Sequence, residues 1–477
     1  MASILMQADE QTTVRGLMTE PPPLRSWAAD VIARARSAER SGRTVDALRL
    51  YETVSHALHG AAEIAASCDV DLGIAAQKVG RFDAAAEAFD RARRYYSAKE
   101  RPRQLAEVDA NLAAVEADRG RLSAAIDGYE RARETFVTLA DAHGTARCEV
   151  TLADLYRRSG QLAQASASVE RATEHLRDGG DPFLIGMCSI VAARIRLNQG
   201  RTDESRKQLA EAAAYARSAP ELVGVLKQAT GELDLAEGRV QAAVSAFKKA
   251  RVAFVDADDA LGVARCDVDL GLAYLARDDW ARAHHFLGQA ALFYQRAGQF
   301  SDLAYCDANV GLAYERQAAA ETDPSRHELL TAAAAALVPA ALFLDARRFE
   351  IADADQRAEW TGEIAGAALD GSYRVAYALG EGTLLAELIL DDRSVGAMGE
   401  GPCDQPGVAF SEGAAAASVV GLLGGDRRPL GPSPFTTLAE PTVAMASWVG
   451  VAESRYHAVL RARSVVHLVE PDAAGGF

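Results

Sequence analysis

Apolar residues recur at intervals of three and four along most of the first 346 positions. Phe82, Ala85, Phe89 and Ala92 form one such series, Leu122, Ala125, Tyr129 and Ala132 a second, and Val240, Ala243, Phe247 and Ala250 a third. This spacing puts the apolar side chains on one face of an α-helix and the polar ones on the other. The helices come at a fixed distance. Gly80, Gly120, Gly160, Gly200 and Gly238 precede them at spacings of 40, 40, 40 and 38, Asp278-Asp279-Trp280 continues after another 40, and Gly42-Arg43 leads by 38. Eight residues before the turn lies an apolar-small pair, as in Leu72-Gly73, Leu112-Ala113, Leu152-Ala153 and Leu270-Gly271. Each period therefore predicts a first helix, a tight turn and a second helix. The glycine lets the chain leave the first helix in a left-handed conformation, and the small residue lets the second helix approach closely.

Length and charge narrow the picture. A chain of 477 residues is too long for one compact core, which stops growing at about 250–300 residues, so several domains or an elongated repeat array is expected. Hydrophobic residues make up 49% and aromatics only 6%, a balance that suits close-packed helices better than a β-sandwich. The net charge of −16 and the pI near 5.1 argue against a nucleic-acid surface and against adsorption to an anionic membrane. The most apolar stretch, Ala332–Phe343, contains Pro339 and falls short of the roughly 20 residues a membrane span needs. The opening MASILMQADEQ has no signal-peptide pattern. A cytoplasmic protein with reduced thiols is expected.

The string CDVDLG occurs twice, at Cys68–Gly73 and Cys266–Gly271, and could be a metal site, a nucleophile with its base, or a reused structural unit. The register favours the last. Cys68, Cys148, Cys188, Cys266 and Cys306 all fall at one place in the first helix, where Val108 and Leu226 stand in other repeats. Cysteine alternating with valine and leucine is a small buried hydrophobe. The neighbouring acids, Asp69, Asp109, Glu149, Asp267 and Asp307, read mainly as helix-start carboxylates facing a positive helix end, with a functional acidic stripe as the alternative.

The order Leu72, Gly73, Gly80, Phe82, Ala85, Phe89, Ala92 resembles the tetratricopeptide repeat (TPR), over seven readable units and a divergent eighth. The period near 40 exceeds the usual 34, which predicts helices about three residues longer. It is similar to the long-repeat members whose inner groove holds extended peptides. The expected fold is all-α: a right-handed α-solenoid of about eight TPR-like helix pairs with a helical C-terminal cap and a partly irregular tail. The expected layout is a flexible N-terminus over 1–25, the solenoid over 26–346, the cap over 347–392, a Gly/Pro-rich linker over 393–441 and a small segment over 442–477.

Stacked helix pairs present a concave face lined mainly by the first helices. The resemblance puts partner-facing side chains around the key leucine of each unit. These candidates are Asn111, Arg147, Asp154, Arg157 and Arg194, then Glu232, Arg265, Asp269 and Asn309. Beside them lie Val70, Asp71, Ile74, Thr151, Leu272 and Leu312. TPRs that clamp a peptide carboxylate use lysine, two asparagines, then lysine and arginine over three units. Here Val70, Ile74 and Thr151 replace three of those five residues, so no carboxylate clamp is expected. An extended peptide read along the groove fits better, with the groove open equally to a folded subunit, a second copy of the chain or the protein's own tail.

Beyond residue 325 the period is lost. HELLTAAAAALVPAALFLDARRFE reads as a long helix kinked near Pro339, Asp353–Asp392 as two cap helices containing Trp360 and Tyr373, and Ala414–Leu423 as a short helix in the linker. The last stretch, TVAMASWVGVAESRYHAVLRARSVVHLVEP, predicts one helix and one short strand with no evident partner. The segment AALFLDARRF…RAEW…ALGEGTLLAELI resembles a bacterial group in which TPR units often precede a CHAT domain, a caspase-like cysteine protease. That protease needs a His-Gly pair and a strand-end cysteine. Here His467 precedes leucine and Cys403 sits among glycines and prolines, so no protease domain is expected.

There is no P-loop, no GxGxxG after a strand, no GxSxG and no CxxC, and no catalytic residues, metal or cofactor are assigned. His284 and His285 should face solvent about 100° apart on one helix, unable to share an ion. The chain is read as a non-enzymatic interaction scaffold, adaptor or sensor for a protein or peptide partner, regulating a separately encoded effector such as a CHAT protease. The alternative is a solenoid regulating a small or degenerate catalytic C-terminal segment around Trp448, Tyr456 and His457. A weaker third option is a peptide-pheromone regulator acting through another protein.

Overall fold

The structure, a computed structural model, describes residues 21–41, 43–58, 63–177, 180–346, 365–394, 433–437, 445–458 and 461–467. The expected linker helix at 414–423, Trp360 and Cys403 lie outside these residues. The chain divides into two compact units, residues up to Asp269 with Arg296–Gly298, and Leu270–Gln295 with the residues from Gln299 onward.

The first unit holds helices paired as the period predicts: α1 Pro21–Arg40 with α2 Thr44–Leu58, α3 Glu63–Lys78 with α4 Phe82–Ala98, and α5 Pro102–Asp118 with α6 Leu122–Thr138. Next come α7 Ala142–Arg158 with α8 Leu162–His175, α9 Pro182–Asn198 with α10 Thr202–Tyr215, α11 Leu222–Ala236 with α12 Val240–Asp256, and α13 Ala260–Leu275, whose last turns belong to the second unit. The first of these helices begins inside the stretch expected to be flexible. At the turns, Gly80, Gly120, Gly160, Gly200 and Gly238 have φ between 73° and 80°, the left-handed conformation for which glycine is suited. Asp278 takes the same conformation with φ 55°.

Successive first helices pack directly on one another (α1 on α3, α3 on α5, α5 on α7, α7 on α9, α9 on α11), so they build a common inner wall. In two of the pairs the seam is sealed by an aromatic ring lying on a glycine. The Phe89 ring is fully buried over Gly73 and the Phe247 ring over Gly231, where a Cβ would stand only 2.5 Å from either ring. The stack also curves back on itself. The Thr44 N–H donates to the Asp258 carboxylate at 2.7 Å across 214 residues, and Arg265 donates to Asp118 at 3.1 Å across 147.

The second unit contains α14 Trp280–Ala297, α15 Phe300–Ala318, α16 Ser325–Ala346, α17 Gly366–Leu379 and α18 Gly382–Ser394. It also holds β1 Ser433–Thr437, α19 Met445–Tyr456 and β2 Arg461–His467. Pro339 sits within α16. By length and composition α16 could cross a bilayer, but 67% of its apolar window is buried inside the protein, packed against α15, α17 and α19. The strand predicted near the C-terminus finds its partner inside the expected linker, because β1 and β2 pair in parallel. A crossover helix between parallel strands is what such pairing requires, and α19 supplies it.

The repeat cysteines Cys68, Cys148, Cys188, Cys266 and Cys306 are free and buried. Burial pushes the Cys68 and Cys148 thiols up to about 12 and Cys188 to about 11, which keeps them protonated and unreactive. No group of three or more His, Cys, Asp or Glu suited to a metal exists among the described residues.

Candidate partner-binding site

The acids beside those cysteines correct the sequence reading. Asp69, Asp109, Glu149, Asp267 and Asp307 are not helix-start residues; each lies in the middle of its first helix. Asp69, Glu149 and Asp267 are buried, and their partners are arginines on the second helices. Arg91 donates to Asp69 at 2.9 Å, Arg93 to Asp109 at 2.8 Å, and Arg251 to Asp267 at 2.6 Å. Glu149 takes two, Arg171 at 2.7 Å and Arg133 at 3.5 Å. The acids that do cap helix starts stand elsewhere: Asp141 accepts from the Gly144 N–H and Asp259 from the Gly262 N–H, as short carboxylates at that position do. The stripe therefore welds helices together and is largely closed to ligands.

The inner wall of the first unit carries a second polar system, made between first helices of successive pairs. Arg36 on α1 binds Asp71 on α3 at 2.7 Å, and Gln77 on α3 donates to Asp118 on α5 at 2.7 Å. Arg157 folds onto Asp154 of its own helix at 2.9 Å. Arg194 on α9 grips Glu232 on α11 through two bonds of 2.9 and 2.7 Å and reaches the Gln228 carbonyl oxygen at 3.4 Å. Gln228 in turn donates to Asp269 on α13 at 2.7 Å. Partners separated by 34–41 residues stand one period apart, so the ladder is a direct product of the repeat.

Five predicted residues thus come together: Asp154, Arg157, Arg194, Glu232 and Asp269. Arg265 lies on the same wall, bound to Asp118. Three do not join by hydrogen bonds among the described residues. Asn111 is half-buried on α5, the Arg147 guanidinium lies 5.9 Å over the Phe136 ring, and Asn309, in the second unit, is buried and donates to the Tyr305 carbonyl of its own helix. Gln228 and Asp118 were missed by sequence reasoning. A search for polar residues one period from a candidate would have found both.

Electrostatics within the ladder are uneven. Burial raises the Asp154 carboxyl, but Arg157, Arg194 and Arg158 overcome it and hold the group well below the usual carboxylate range. Asp269 goes the other way: burial and the nearby Glu232 charge push it up to about 7, against the opposing Gln228 bond and the charges of Arg194 and Arg265. A carboxyl raised in the folded state adds a penalty that grows as pH rises from the unfolded value toward the folded one. Asp269→Asn is therefore expected to leave Tm unchanged near pH 4 and raise it by about 2 °C at pH 8, measured by circular dichroism on the full chain. Equal Tm values at both pH values would contradict this.

In the second unit the expectation for His284 is corrected. Its ring is half-buried and lies against Tyr314, with ring centroids 4.3 Å apart and planes tilted by 43°, and burial lowers its pKa. His285 is exposed. Tyr456 is buried with its hydroxyl on Asp307 at 2.8 Å, a structural engagement.

Residues 104–178 match the Tetratricopeptide repeat family. They span α5 to α8 and continue the pattern of the neighbouring pairs. Among solved structures the chain is similar to a Rap protein complexed with competence and sporulation factor, at 12% identity over 76% of this chain and 99% of that one, with a TM-score of 0.44. It is also similar to a tetratricopeptide repeat protein from Parabacteroides merdae, at 15% identity over 64% of this chain and 98% of that one (TM-score 0.35). A third is a signal transduction ATPase with a tetratricopeptide repeat sensor from Pyrococcus horikoshii, at 14% identity, covering 78% of this chain and 56% of that one (TM-score 0.44). No curated protein matches the sequence.

Proposed function

We propose that this protein is a non-enzymatic scaffold or sensor whose inner wall takes a protein or peptide partner bearing a basic side chain opposite Glu232 and Asp269. Repeats of this kind are typically used for protein–protein interaction. The supporting observation is the ladder itself, where the Asp154, Glu232 and Asp269 carboxylates stand together with Arg157 and Arg194 on the inner wall and Asp269 accepts from the neutral Gln228 amide. Rigid helices hold these groups in place before a partner arrives, which lowers the ordering cost of association. With Asp269 near 7, a partner's lysine or arginine binds more tightly as pH rises from 6 to 8. The narrower reading, that the scaffold regulates a separately encoded effector such as a CHAT protease, is supported by the resemblance of residues 340–390 alone.

The test is affinity capture from the native host with the full chain as bait, wild type against Glu232→Gln/Asp269→Asn, quantified by mass spectrometry at pH 6 and pH 8. A partner retained by the wild type and reduced at least tenfold on the double variant at pH 8 is the expected result. Equal capture by both baits at both pH values would reject the cationic contact. Nothing above background on the wild-type bait would reject the scaffold itself.

A further inference from the structure

The repeat acid of the last helix pair is satisfied in a different way from the others. Elsewhere its arginine partner lies 16 residues before it, as Arg251 does for Asp267, or 22 after, as Arg91 does for Asp69. For Asp307 those two positions hold Ala291 and Leu329. Neither can donate. The missing donors come from α19 instead. Arg455 binds Asp307 through two bonds of 2.5 and 2.6 Å, and the Tyr456 hydroxyl adds a third at 2.8 Å. Paired N–H donors on a carboxylate give a directional contact.

The other end of the same helix is held by a second carboxylate. Glu387 on α18 is fully buried and accepts from the Met445 N–H at 2.8 Å, where the open amides of a helix start favour an anion. Between the two ends, Met445, Val449, Ala452 and Tyr456 are buried at spacings of four, three and four, with the Tyr456 ring 4.7 Å from Phe343 of α16. Fifty residues separate Ser394 from Met445, so this helix reaches its seat by way of a long intervening segment and is not the next step of the stack.

We propose that the last repeat carries a helix-docking slot, bounded by Glu387 and Asp307 with an apolar stripe between them, and that its occupant is this chain's own helix Met445–Tyr456, held as a separable intramolecular ligand. The ligand chemistry is specific: an amphipathic helix of three turns with an uncovered N-terminal amide and an Arg-Tyr pair at its end. A tether keeps the local concentration of the helix high, so free peptide does not compete with it in the intact chain.

The probe is a fluorescein-labelled peptide of residues 443–458, titrated into the full chain. Wild-type protein is expected to show no binding at 100-fold the concentration that saturates a Val449→Glu/Ala452→Glu variant, in which the resident helix is expelled. Adding Asp307→Ala to that variant is expected to weaken peptide binding at least tenfold. Equal binding to wild type and expelled variant would overturn the proposal, as would no binding to an expelled variant that keeps its helical content. Should the expelled variant precipitate, amide hydrogen exchange on full-length Arg455→Glu decides. Exchange of residues 446–456 is expected at least tenfold faster than in wild type, and restored by the charge swap Arg455→Glu/Asp307→Arg; unchanged exchange in the single variant would overturn the slot.

Discussion

Replacing Arg194 by methionine is expected to destabilise the first unit by about 2–3 kcal/mol at pH 8, and by clearly less at pH 5. The side chain is only 14% exposed and bridges Glu232 to Gln228 while facing the Asp154 and Asp269 charges. Its own pKa is raised, because Glu232 and the two aspartates outweigh the effect of burial. Removing one partner of such a group leaves uncompensated carboxylates, which costs more than the pair itself contributes; partial water access puts the loss toward the lower end. The pH dependence has a definite sign. Without the guanidinium the carboxyls rise, so at pH 5 they take up protons and part of the repulsion disappears. Urea midpoints of wild type and Arg194→Met at the two pH values check this. An equal loss at both would show that packing, and not charge, is what Arg194 contributes.

Phe247→Ala is expected to cost about 3–5 kcal/mol, the usual range for emptying a buried aromatic site. The ring is 1% exposed and fills the space above Gly231. The informative partner is Gly231→Ala. Helix propensity favours alanine over glycine by about 1 kcal/mol, yet the added Cβ would stand 2.5 Å from the ring, and overpacking of that kind costs about 1–3 kcal/mol. Packing should win, so the single Gly231→Ala variant is less stable than wild type. In the Phe247→Ala background the obstruction is gone and the same substitution becomes neutral or stabilising. A double-mutant cycle on thermal unfolding measures this reversal; additive effects would mean the helices do not approach as closely as the structure has them.

The helix pairs were legible because local signals agree at most periods: the apolar ladder, the left-handed turn glycine and the small residue facing the second helix. The ladder on the inner wall was legible in part. Asp154, Arg194, Glu232 and Asp269 stand near the key residue of their units, but their pairing depends on how far one pair advances on the next, which no single helix encodes. The mid-helix acids were misread for a related reason. Asp69 and Glu149 sit mid-helix because their helices begin several residues earlier than the apolar pattern marks, and only the packed second helix shows that Arg91 and Arg171 reach them. His284 was read by its helical angle as solvent-facing, whereas Tyr314 of the following helix covers it. The β1–β2 pairing was hidden because the earlier strand lies in a glycine- and proline-rich stretch.

The hydrogen bond from Thr44 to Asp258 bears on how this protein could evolve. Repeat arrays ordinarily lengthen or shorten by whole units, since each touches only its neighbours. Here a gain or loss of one 40-residue unit between those residues would carry Asp258 past its mate, so this closing contact can form only with the number of repeats this part of the chain has.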